Sequence, residues 1–215
     1  MKAFAESGQR LAWPGILALL FALEWLVLAW QPLDRKDWLL ENLLALVSCA
    51  WLVLHHRRGP LSTLSYVLLF AFGSLHELGA HYTYSEVPYE RWTQQFGGFS
   101  IDALFGFSRN MFDRLVHFLF GLLVFLPLQE VLDQVGEVRG RARWWVPVTI
   151  ISAISMLFEL FEWAAAETFG GDLGQAYLGT QGDIWDAQKD MLMALIGSLM
   201  AMVILLLRAA RKKMK

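Results

Sequence analysis

Six apolar runs, each about 17 to 22 residues long, leave this chain few ways to fold. About 20 apolar residues in helical form cross the hydrocarbon core of a bilayer. Inside that core every backbone polar group must be satisfied within the protein, which favours helices. The runs cover roughly residues 13–30, 38–54, 61–81, 112–128, 144–165 and 189–207. The expected fold is therefore an all-α membrane protein, with six transmembrane helices in a bundle and residues 1–215 forming a single integral membrane domain. Composition agrees: 56% of residues are hydrophobic and only 18% charged, against about 25% charged in a soluble domain. Tryptophans mark many of the predicted ends, at Trp13, Trp30, Trp38, Trp144, Trp145 and Trp185, as expected of amphipathic rings at the membrane interface.

The first run is not read as a secretory leader. It is long for one, carries Glu24, and is followed by Gln31-Pro32-Leu33-Asp34 rather than a small-residue cleavage site. Basic residues set the orientation. Lys2 and Arg10, the HHRRGP loop with His55, His56, Arg57 and Arg58, then Arg139, Arg141 and Arg143, and finally the RAARKKMK terminus all fall on one side if there are six spans. Both termini are then cytoplasmic. The opposite loops are acidic or mixed, including the aromatic-rich stretch from Tyr82 to Met111. A formal net charge of −2 offers no basic patch for nucleic acid, and a lone cysteine, Cys49, excludes an intramolecular disulfide.

Charges within spans are costly and usually face the bundle interior. Here they recur at helical spacing. Glu77 and His81 are four apart, as are Asp113 and His117; Glu159 and Glu162 are three apart; Asp183, Asp186 and Asp190 follow at three and four. Residues at these spacings share a helix face. The pairs on the third and fifth spans come late, and those on the fourth and sixth come early. At about 1.5 Å per residue, all four sets fall in the outer third of the membrane.

Carboxylates and imidazoles on facing helices are a metal-binding design. The predicted ligand set is His76, Glu77, His81, Asp113, His117, Glu159, Glu162, Asp186 and Asp190. Oxygen and nitrogen donors without thiolate suit one or two divalent transition-metal ions, zinc, iron or manganese. HELGAH is not the zincin HExxH, because its histidines are five apart and so about 140° apart around a helix. Glu77 with His81 is the preferred pair, with His76 beside the ligands or on a neighbouring ion.

Simpler readings exist for each piece. Asp183 after Gly182 is a natural N-cap, with Asp186 at the third helical position. Glu159 and Glu162 suit a buried ion pair with Arg109 or Arg114. Glu24 and Glu41 are placed to approach the centre, to hydrogen-bond a facing helix, or to line a polar path from the outer face.

The stretches HELGAHYTYSEVPY, FDRLVHFLFGLL, FELFEW and GDLGQAYLGTQGDIWDAQKDM resemble the YjdF-like family of multi-pass bacterial inner-membrane proteins. The resemblance runs from the third span onward and implies an inner-membrane location. From the residues, the expected function is a metal-dependent membrane enzyme with Glu162 and Asp183 as candidate general bases. Its substrate would be a lipid or lipid-linked molecule, with hydrolysis slightly preferred to di-metal oxidation. The alternatives are a cation- or proton-coupled transporter, or a metal-binding structural or sensor subunit. The oligomeric state is left open.

Overall fold

The computed structural model describes residues 2–136, 138–169 and 178–214. The described residues are helical, with no strand among them. In chain order the long helices are α1 (Lys2–Leu28), α2 (Arg35–His56) and α3 (Thr63–His81). A folded connection follows, made of α4 (Tyr89–Trp92), a π-turn (Thr93–Gly97) and α5 (Ile101–Phe105). Then come α6 (Phe112–Val135), α7 (Ala142–Phe169) and α8 (Asp186–Lys213). Each expected run thus lies on one long helix. By length and composition four helices, α2, α6, α7 and α8, suffice to cross a membrane, and Trp13–Leu28 is a shorter apolar stretch. The Gly171–Tyr177 part of the fourth quoted motif lies outside the described residues.

Local chemistry sets several of the ends. Asp34 accepts the backbone N–H groups of Lys36 and Asp37 and so caps α2. Ser62 caps α3 through the Ser65 N–H. The expected N-cap at Asp183 is not observed. Helix α8 begins at Asp186, and Asp183 instead accepts the Trp185 N–H in the turn before it. The Asp183 side chain is directed at cations on α6 and α8, which outweigh a backbone cap.

The centre of the molecule is the packing of α6 on α8. Helix α7 packs on both, α3 packs on the remaining side of α6, and α1 and α2 pack on α3. The close approach of α6 and α8 depends on paired glycines. A Cβ at Gly121 would collide with the Ala194 carbonyl, and one at Gly197 with the Phe118 carbonyl. Small residues at a helix crossing let backbones meet where lipid offers no hydrophobic drive to association. Phe125, Val148, Ile151, Ala194, Ala201 and Met202 form the apolar core of this three-helix unit. A second cluster, Val87, Phe112 and Val116, closes the end where the α4–α5 connection lies. Polar groups from five helices collect between the two clusters.

Candidate functional site

Asp113, His117, Asp186 and Asp190 are brought together because α6 and α8 both begin at this end and lie side by side. Asp113 stands in the first turn of α6 and Asp186 in the first turn of α8. One ligand oxygen from each of Asp113, Asp186 and Asp190 lies within 4.8 Å of the other two. Asp186 and Asp190 are buried, 4% and 2% exposed. His117, one turn below Asp113, presents Nε2 3.7 Å from Asp113 and 3.3 Å from Glu159 Oε1. Its Nδ1 faces the Ser155 hydroxyl at 3.3 Å. Glu159 and Glu162 interact with each other on α7, and Glu162 feels the charges of Asp113, Glu41 and Asp190.

Two arginines brace this centre. Arg109 holds Asp186 through both guanidinium nitrogens and also donates to the carbonyls of Gly179 and Thr180. Arg114 donates to Asp183 and to Asp186 at 2.9 Å, and lies 3.8 Å from Asp190. The expected arginine partners of Glu159 and Glu162 therefore serve the aspartates of α8 instead, since Arg109 and Arg114 flank the start of α6 on the side facing α8. Asp183 meets Arg114, Lys189 and, at 3.8 Å, Arg109. Hydrogen bonds from Lys189 and Arg114 hold its carboxyl well below the usual carboxylate range. A carboxylate so held is a weak proton acceptor, which tells against Asp183 as a base.

Helix α3 divides its polar residues between two sides. The His81 Nδ1 meets the Leu28 carbonyl of α1 at 2.7 Å, and its ring abuts Tyr82. His81 is thus engaged away from Glu77. His76 is buried and bonded through Nδ1 to the Tyr84 hydroxyl, while its Nε2 meets no partner. Glu77 is fully buried, with Asn42 beside it and neither carboxyl oxygen in hydrogen-bond geometry.

Glu41 and Tyr84 complete the centre. Glu41 of α2 is 3% exposed and lies within range of the charges of Asp37, Asp113 and Glu77. Tyr84 and its neighbour Thr83 both adopt left-handed backbone, with φ of 51° and 53°. Such strain in non-glycine residues persists only where surrounding structure enforces it. Here the turn lays the Tyr84 ring over Gly79 and carries its hydroxyl to His76, among the fields of Glu41, Asp113, Glu162 and Glu77. Burial pushes that hydroxyl well above its usual value, and the carboxylates push it further. Glu41 had a sequence signal, an acid in the outer part of a span. Tyr84 had none, because its place depends on a turn and not on a periodicity.

The chemistry of the whole is an unbalanced one. Six carboxylates, Asp113, Glu159, Glu162, Asp183, Asp186 and Asp190, gather beside three cationic side chains, Arg109, Arg114 and Lys189. Buried acceptors lack donors at Glu41 Oε2, both oxygens of Glu77, Glu159 Oε1 and Asp190 Oδ1. Buried carboxylates are stable only when paired, protonated or bound to a cation. The donor set therefore suits a metal ion or several protons.

No solved structure matches this chain. Inner membrane protein YjdF of Escherichia coli (strain K12) is 38% identical over 173 residues, covering 80% of this chain and 78% of that protein. The model for the family described as Predicted membrane protein (DUF2238) matches residues 14–211. That match takes in every residue of the acidic centre and all but the start of the first helix, and this chain, a multi-pass membrane protein, belongs to the DUF2238 family.

Proposed function

We propose that this protein is a metal-dependent enzyme of the bacterial inner membrane, with six spans, both termini in the cytoplasm, and a divalent cation bound near the outer face. The observation that carries the reading is the Asp113–Asp186–Asp190 group, three carboxylates at ligand spacing inside an apolar bundle. Asp190 Oδ1 and Glu159 Oε1 accept no hydrogen bond and so keep lone pairs for an ion, and His117 Nε2 stands between Asp113 and Glu159. Arg109 and Arg114 fix Asp186 from its other side. An oxygen-rich set with one imidazole narrows zinc, iron or manganese towards manganese or iron.

A bound ion would supply Lewis acidity and lower the pKa of a coordinated water. The rest falls to the chain's own residues. Asp183 is committed to its ion pairs, so the general base is Glu162, buried beside Glu159 and not engaged by either arginine. The substrate class remains a lipid or lipid-linked ester, amide or phosphate, because the centre sits at the ends of spans where lipid and outer solution both approach. The inner-membrane name of the Escherichia coli relative supports the location.

The test is elemental analysis of the purified protein in mild detergent, beside Asp113→Asn/Asp190→Asn. Manganese, iron or zinc near one or two equivalents in the parent and below a tenth of that in a folded double variant is the expected result. Absence of metal from the parent after ions are restored would remove the enzyme reading.

A second reading rests on a different observation. Glu24 of α1, midway along its span, accepts the Ser74 hydroxyl at 2.6 Å, and its charge acts on Glu77, which acts in turn on Glu41. Asp113 also acts on Glu41. Such a file of acids from mid-membrane to the centre is what a cation or proton path needs. Reconstituted vesicles with a pH-sensitive dye discriminate: flux in the parent that stops in Glu24→Gln would favour transport.

A further inference from the structure

The connection between α3 and α6 is too well folded for a slack loop and too apolar outside for a water-facing one. Its polar groups are turned on one another. Tyr89 donates to Asp102 at 2.9 Å and accepts the Met111 N–H at 3.0 Å. Glu90 accepts the Asp102 N–H and the Gln94 amide. Ser100 caps α5 through the Ala103 N–H. On the inner side Trp92 packs edge-on against Tyr82 and joins the Val87–Phe112–Val116 cluster. Outside, Arg91, Gln94 and Gln95 are exposed, but the large exposed side chains beyond them are apolar: Phe96 is 80% exposed, Leu104 69%, Phe105 65% and Phe99 50%.

Exposed patches of large apolar groups mark a surface that something covers. The covering phase here is indicated by continuity. The segment leaves α3 at His81 and enters the membrane-length helix α6 at Phe112. Trp30, at the end of α1, and Ile184 and Trp185, directly before α8, are likewise exposed, at 74%, 84% and 59%. Large exposed apolar side chains thus recur on the connection and at the ends of the long helices α1 and α8. Arg91 is exposed on α4, where a cation could meet lipid phosphate.

We propose that residues 89–107 form an interfacial anchor, which lies in the outer leaflet of the bilayer with Phe96, Phe99, Leu104 and Phe105 inserted among the acyl chains. An in-plane element of this kind has its polar face satisfied and its aromatics buried a few ångströms below the headgroups. It would set the mouth of the acidic centre at headgroup level, because Tyr89 and Asn110 tie the same segment to the start of α6. The inference stands whether the centre binds metal or protons, since the anchor rests on the exposed apolar surface, and only its assignment to the outer leaflet rests on the proposed six-span orientation.

Spin-label accessibility in phospholipid vesicles tests it. The full chain, with Cys49→Ser as background, is labelled at Phe96→Cys or Phe105→Cys. Leu157→Cys on the exposed face of α7 serves as the lipid reference and Arg211→Cys as the water reference. All four positions are exposed, so the fold tolerates them. Both test labels should respond to oxygen over a water-soluble relaxant at a ratio past the midpoint towards Leu157. A ratio on the Arg211 side at either test position overturns the anchor.

Discussion

At the residue scale the centre divides into acids that are answered and acids that are not. Asp183 and Asp186 are hydrogen-bonded to arginine or lysine; Asp190, Glu159 and Glu77 each keep at least one oxygen that accepts no hydrogen bond. Arg114 is the brace between them, 14% exposed and touching three aspartates. Arg114→Ala should lower stability in detergent by about 3 kcal/mol, because it strands buried charge, and Arg114→Lys should recover only part, having one point donor in place of a fork. Chemical denaturation monitored by tryptophan emission checks both. The pH dependence of Asp183 has a defined sign. Its folded-state pKa lies below the unfolded value of about 3.9, so its contribution is full above that value and disappears as pH falls through the folded pKa. Asp183→Asn should therefore be less stable than the parent at neutral pH, with the gap narrowing only in strong acid. A constant gap from pH 7 to pH 3 and below would contradict the ion-pair assignment. The spacing of the sequence brought Asp113, His117, Glu159, Asp186 and Asp190 forward as one-face pairs, and they do converge. It did not show that His81 turns to the Leu28 carbonyl, because a helix period fixes which residues share a face and not which neighbour that face meets.

At the element scale the decisive contact is α6 on α8. Gly121 and Gly197 stand opposite backbone carbonyls, so the extra methyl of Gly121→Ala must push the helices apart. The expected cost is about 1–3 kcal/mol of overpacking, together with weaker metal retention, since the same separation widens the Asp113–Asp186 spacing. Gly15→Ala, with no atom within 4 Å of the added Cβ, is the control and should leave the melting temperature in detergent unchanged or slightly higher. Equal effects of the two substitutions would show that the glycine contact does not set the centre. The runs in the sequence announced each long helix to within several residues at most ends. The largest departures are α1, which begins near the chain start, and α6, α7 and α8, which extend past their apolar cores. Polar residues at helix ends outside the hydrocarbon still form backbone hydrogen bonds, so helices outrun the hydropathy that reveals them.

At the scale of the whole molecule the depth of the centre depends on topology. With six spans the Lys215 terminus is cytoplasmic, so a reporter active only in the cytoplasm should be active there and inactive when inserted after Gln95. Reversal of that pattern would move the acidic centre to the inner face and with it the proposed route of substrate entry. The bundle itself is built in series: α1 and α2 on α3, α3 on α6, and α6 with α7 and α8. The acidic centre lies where the series joins the three-helix unit, and so draws Glu41 and Glu77 from one part and Asp113, Glu159, Glu162 and Asp190 from the other.

The sequence by itself determined that the chain is helical, with apolar runs of membrane length, and where the charges interrupt those runs, because a bilayer imposes one length and one backbone solution on every span. Only the tertiary structure decided who answers whom. Arg109 and Arg114 pair with the aspartates of α8 and not with the glutamates of α7, His81 turns outward to α1, and Tyr84 enters the centre from a left-handed turn. Partnership among buried charges is set by helix rotation and by the closeness that Gly121 and Gly197 permit, and neither quantity is written in the spacing of residues along one helix.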